Sequence, residues 1–197
     1  MSRTQFLAMP SLTQLAFVCL MLSPVINTRS SAQTDGLPCK SRDYLGIAPD
    51  LTDAQFVCAA DNYAYVANGA SGLSILDVTQ PEAPIVIGSL DTDGTAVYIA
   101  VHGDTAYVAD RTGGLVLVDV SDRTQPQEIS NYDTPGQAYG IAIADTLAFV
   151  ADRATGILVL DISVPAAPTL IGSFDTPGNA YHASLSGSVL CVADSHE

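Results

Sequence analysis

The chain has 197 residues, 48% of them hydrophobic and 14% charged, which excludes a protein kept disordered by charge: there is enough apolar surface to build a core. Its acids are eighteen Asp and three Glu against one Lys and six Arg, so residues that favour helix interiors are scarce and residues that favour turns abound. The net charge of −14 works against phosphate backbones and anionic lipid, and nucleic acid is not expected as a partner.

The first element in the chain is a targeting segment. Arg3 supplies a short positive start, Leu15 to Leu22 is an uninterrupted apolar run, and Ser30-Ser31-Ala32 places small residues before a cut at Gln33. Residues 1–32 are therefore predicted to be a secretory signal peptide. The run is too short for the roughly 20 residues that a membrane-spanning helix needs, and no later segment is long and apolar enough, so no membrane span is expected. Cys19 is not preceded by the small residues of a lipoprotein box. Loss of the leader leaves five basic residues against 21 acidic ones, in a protein expected to be secreted, periplasmic or at the cell surface.

Residues 33–42 read as a linker. Cys39, Cys58 and Cys191 remain after cleavage, an odd number for an oxidising compartment. Cys39 and Cys58 can close a short staple, or Cys58 and Cys191 can be buried as small hydrophobes. No CxxC and no Cys/His cluster is present, so neither zinc nor a dithiol redox centre is expected.

Residues 43–197 are organised by an internal repeat. Gly72, Gly114 and Gly156 stand 42 residues apart, and the same step connects Asp77, Asp119 and Asp161, then Gly94, Gly136 and Gly178. Segments 53–94, 95–136 and 137–178 align without a gap, and a fourth opens at Asn179. Turn chemistry cuts each period into four runs of strand length, such as Tyr139–Ala144, Leu147–Ala151, Ile157–Ile162 and Thr169–Phe174. The third run, Leu115-Val116-Leu117-Val118 in the second copy, is apolar without alternation and so requires burial on both faces. Stacked four-stranded units of this period predict an all-β protein, a β-propeller of 42-residue blades.

The runs Leu115-Val116-Leu117-Val118-Asp119 and Ile157-Leu158-Val159-Leu160-Asp161 resemble the LVIVD repeat, over about residues 43–194. The resemblance implies a secreted or cell-surface β-propeller, mostly bacterial, and brings no catalytic residue with it.

The ends of the repeat region suggest a composite blade. Tyr44-Leu45-Gly46-Ile47 matches Val86-Ile87-Gly88-Ser89 as an outermost strand, so residues 43–52 are paired with 179–197, where Tyr181–Leu185 and Val189–Ala193 supply two inner strands. The third strand of that blade is missing, which leaves apolar faces uncovered. A chain truncated from a longer propeller is the expected reason; a four-bladed ring or an oligomer sharing blades is the alternative.

With alternating strand directions, the turns after each second strand and the entries to the next blade emerge on one face. That face collects Arg111, Arg153, Tyr98, Tyr139, Tyr181 and His182, the candidate ligand-face residues; Tyr98, Gly140 and His182 are equivalent positions near the channel mouth. Asp110, Asp152 and Asp194 could form a ring of Ca²⁺ ligands, but an Asp opening an Asp-x-x-x-Gly turn is expected to bind the N–H groups of that turn, and no cofactor is expected. The two Arg are expected to pair with Asp residues on their face. Three functions follow: a non-catalytic binding or adhesion module for a protein or glycan at the cell surface, a metal-assisted hydrolase or lyase at the channel mouth, or a structural envelope protein. The secretory leader and the want of any catalytic constellation favour the first.

Overall fold

In a computed structural model, residues 51–195 and Ala48 are described, together with the backbone of Gln5–Ala8. Most of the expected leader and the whole linker lie outside the described residues, as do Cys39 and the stretch 43–47 expected to form an outer strand. Gln5–Ala8 (β1) runs antiparallel to a strand near the C-terminus.

The repeat is visible strand by strand. Blade 1 is β2 (Phe56–Ala60), β3 (Tyr63–Ala67), β4 (Leu73–Asp77) and β5 (Ile85–Leu90). Blade 2 is β6 (Tyr98–His102), β7 (Thr105–Ala109), β8 (Leu115–Asp119) and β9 (Gln127–Tyr132). Blade 3 is β10 (Gly140–Ala144), β11 (Leu147–Ala151), β12 (Ile157–Asp161) and β13 (Thr169–Phe174). Each is an antiparallel sheet in chain order. Even the irregularity recurs, for a register shift interrupts the third-to-fourth strand ladder at Ile75/Leu76, Leu117/Val118 and Val159/Leu160. A hairpin of β14 (Asn179–Ser186) and β15 (Val189–Ser195) follows, with β1 on its outer edge. No helix occurs among the described residues.

The unbroken apolar third strand has a direct explanation. In β8, Leu115 and Leu117 join the cluster facing blade 3, with Ile141, Val150, Leu158 and Leu160. Val116 and Val118 join the cluster facing blade 1, with Tyr65, Leu73, Ile75 and Val108. Side chains alternate across the strand, and a sheet lies on either side, so both sets must be apolar. Each fully buried Leu or Val contributes on the order of 1.5–3 kcal/mol, and the seams between blades are where that burial happens.

The repeated glycines follow from the turns that close these seams. Gly72, Gly114 and Gly156 have φ of +67°, +76° and +82°, and a Cβ there would stand 2.3 Å from the carbonyl oxygen of Leu90, Tyr132 or Phe174. Only glycine meets both demands.

Candidate functional site

The face predicted from strand direction is assembled by backbone pairing between blades. Arg111 and Ala138 exchange both N–H···O bonds at 3.1 Å, Arg153 and Ala180 do so at 3.0 Å, and Gly69 and Ala96 repeat the pattern in blade 1. The turn after each second strand is thereby fixed to the entry of the next blade. Both arginines are in the left-handed region, φ +48° each, where blade 1 has Gly69 at +57°.

Beside this seam the repeated Asp acts as a latch. Asp110 is fully buried; its Oδ1 accepts from Thr92 Oγ1 at 2.8 Å and its Oδ2 from the Gly94 N–H at 2.7 Å. Asp194 takes the same pair from Thr176 and Gly178, each at 3.0 Å. Asp152 accepts from the Gly136 N–H at 2.7 Å. The side chain therefore reaches the loop between blades, whereas its own turn is closed by backbone bonds such as Asp110 N–H to Gly114 O and Gly113 N–H to Asp110 O. That corrects the expectation that the carboxylate binds the N–H groups of its own turn: peptide groups already close the turn, and the carboxylate takes its N–H bond from the neighbouring loop, with the Thr155 hydroxyl of the turn added at Asp152. Burial pushes the Asp110 and Asp152 carboxyls up. Asp77, Asp119 and Asp161 behave oppositely: each accepts the N–H two residues on at 2.8 Å, in an exposed turn, and those bonds hold their carboxyls below the usual range. Among the described residues no group of three or more His, Cys, Asp or Glu is placed to hold a metal ion.

The six candidate ligand-face residues separate into two groups. Arg111, Tyr139, Arg153 and Tyr181 form an alternating ladder: Arg111 lies 5.2 Å over the Tyr139 ring, and Arg153 lies 5.5 Å over Tyr139 and 5.6 Å over Tyr181. The two tyrosine rings meet edge to face at 5.2 Å. Arg153 Nη1 donates to Gln137 Oε1 at 3.1 Å and Nη2 to the Tyr181 hydroxyl at 3.4 Å. Tyrosine rings are the partners that both arginines share, and Tyr139 and Tyr181 each follow by one residue the Ala that bridges to an arginine, which places a ring within cation–π reach of each guanidinium.

Tyr98 and His182 belong to the second group. Phe56 stacks on Tyr98 at 4.0 Å, and the His182 ring lies tilted 5.1 Å from Tyr98. These residues and Gly140 occupy one repeat position. A Cβ on Gly140 would come within 2.8 Å of the Tyr181 carbonyl oxygen and the His182 Cα, so the missing side chain of blade 3 is what lets His182 reach the ring of blade 2. Burial holds the His182 imidazole below its ordinary pKa. Phe56 and Gln137 were not singled out in the sequence, although Phe56 stands one period before Tyr98.

Next to the ladder, a groove of about 360 Å³ is lined by Gly136, Gln137, Arg153, Ala154 and Asn179. A second, of about 380 Å³, lies on blade 1 around Asn68, Ser74 and Ser89. Cys191 is half-buried on β15 as a free thiol.

The family model for the LVIVD repeat matches residues 52–92, 93–134 and 135–176. No curated protein matches the chain. Among solved structures, the computationally designed Ika4 protein superposes with a TM-score of 0.59 at 9% identity, over 79% of this chain and 100% of that one. The computationally designed Ika8 protein gives a TM-score of 0.53 at 10% identity over 71% of this chain. This chain spans 45% of the length of Ika8, and both likenesses are of fold.

Proposed function

Because the chain belongs to the LVIVD repeat family, we propose that it is a secreted or cell-surface β-propeller that acts as a non-catalytic binding module through the face carrying Arg111, Tyr139, Arg153 and Tyr181. The observation that supports this reading is the ladder itself. Blades 2 and 3 and the final hairpin each add a side chain to one continuous surface, and the scaffold does not require those side chains, since Gly69 makes the same interblade pairing in blade 1. A fold repeated for stability carries function where it departs from its repeat. The aromatic contacts of Phe56, Tyr98 and His182 join blade 1, blade 2 and the final hairpin.

The test is retention of the mature protein on intact cells or on an array of surface glycans. Tyr139→Ala with Tyr181→Ala should reduce retention at least about tenfold, the loss expected when aromatic anchors are removed, while the strand signal in circular dichroism stays unchanged. Full retention by the double variant, or a turnover activity abolished by His182→Ala alone, would replace this reading with the channel-mouth enzyme.

A further inference from the structure

Residues 51–195 contain three basic side chains, Arg111, Arg123 and Arg153. Arg123 is committed to the scaffold: its Nε donates to the Tyr65 hydroxyl at 3.0 Å and its guanidinium lies 4.6 Å over Tyr63, which fastens blade 2 to blade 1. The other two are gathered on one face of an otherwise acidic body, both against the ring of Tyr139. Each sits in a left-handed conformation that glycine adopts more readily than an L-residue does. The backbone pairing is made equally by Gly69, so the strain is not explained by the turn. Arg111 Nε is buried without an acceptor among the described residues, and two cations share one tyrosine. An anion brought to this face would balance that charge.

We propose that the ladder and its groove bind the carboxylate of an acidic sugar, a uronic acid residue of a surface glycan; this deepens the binding-module reading and rests on it. A planar guanidinium matches a carboxylate through two parallel N–H bonds, and it does so better than an ammonium. Tyr181, half-buried and contacted by a single guanidinium, offers apolar ring surface to the C–H face of a pyranose. Gln137 and Asn179 line the groove beside Arg153. Gln137 Oε1 is held by Arg153, which orients its NH₂ as a donor, and side-chain amides pair with sugar hydroxyls as both donor and acceptor. Arg111 lies over the same Tyr139 ring one blade earlier, so a chain of uronate units meets two guanidiniums in succession. The general acidity of the body repels long polyanions and restricts recognition to short stretches seated on the ladder.

The experiment is calorimetric titration of the mature protein with trigalacturonate, with its methyl ester and with hexaglutamate, at low salt. Trigalacturonate should bind and the methyl ester should bind at least about tenfold more weakly, as expected for loss of a charge-assisted pair. Arg111→Gly and Arg153→Gly are the variants of choice, because glycine occupies the equivalent position of blade 1 and the turn is kept. Each should weaken trigalacturonate about tenfold or more, with thermal stability equal to or above that of the parent. Equal affinity for acid and ester, undiminished binding by both variants, or no binding of the acid would overturn the proposal. Tighter binding of hexaglutamate would overturn it in favour of an acidic peptide. If the tyrosine variants lose surface retention while trigalacturonate fails to bind, the binding-module reading stands and the acidic-sugar inference alone falls.

Discussion

The outer strands of blades 2 and 3 have related sequences and opposite surroundings. In blade 2, Ile129 and Tyr132 of β9 pack against the cluster shared with blade 3, and Ser130 Oγ donates to the Pro165 carbonyl oxygen at 2.6 Å. One period later, Ile171 is 57% exposed and Phe174 38% exposed, and a Cβ on Gly172 would meet nothing within 4 Å. The same residue types pack against a seam in one blade and stand exposed in the next. Burial in this molecule is thus a property of the seam, since a single blade cannot cover its own apolar faces and relies on a neighbour. Among the described residues, the last seam covers blade 3 over β10, β11 and β12, where Ala142, Phe149 and Ile157 pack with Ala183, Leu190 and Val192 of the final hairpin.

The sharpest way to break the comparison is to delete apolar volume at each place. Leu160 is fully buried in the closed seam, so Leu160→Ala should cost about 2–5 kcal/mol. Ile171→Ala on the open flank should stay within about 0.5 kcal/mol, as for other surface positions. Urea denaturation of the two variants decides it, and equal losses would mean that the flank is covered in solution.

A smaller effect is expected at the latch that holds successive blades together. Asp110→Ala strands the buried Thr92 hydroxyl and the Gly94 N–H and should cost about 1–3 kcal/mol, the penalty of orphaned buried partners. Asp110→Asn should cost much less, because Asn68 holds the corresponding place in blade 1 and accepts from the Asp53 N–H at 2.9 Å. Thermal melts of the pair measure the gap. A loss for Asn as large as that for Ala would show that the charge, and not the acceptor, secures the loop.

Much of the fold is legible in the sequence because the period repeats without a gap. The four strands of each blade, the two-sided burial of Leu115–Val118 and the shared face of Arg111 and Arg153 all follow from turn residues and spacing. The partners of side chains do not. Nothing in the spacing of Asp110 says that it reaches back to Thr92 and Gly94 in place of its own turn, since both lie within loop distance and only the sheet geometry selects one. The stacking of Arg111 and Arg153 on tyrosines was equally hidden, because it crosses from one blade to the next. The reach of His182 over Gly140 to Tyr98 depends on the absence of a side chain, and an aligned repeat gives the residue at each position but not the space left between blades.

The last and smallest effect separates two sets of aspartates that look alike in the repeat. Burial raises the carboxyls of Asp110 and Asp152, so the folded state holds their protons more tightly than the unfolded chain does. Stability from these groups is complete at low pH and falls as pH rises through and above the ordinary carboxylate range. Hydrogen bonds from Thr79, Ser121 and Ser163 lower Asp77, Asp119 and Asp161, and their contribution is present at neutral pH and is lost as pH falls through the folded values. The two sets tilt the stability profile in opposite directions. Asp110→Asn removes one member of the first set, so its stability relative to the parent should improve as pH is raised from acid to neutral. Asp119→Asn removes one member of the second, and its relative stability should decline over the same interval. Denaturation midpoints at several pH values compare the slopes directly: parallel profiles for the two variants would mean that the buried latch and the exposed turn titrate alike, and the distinction drawn from their surroundings would be wrong.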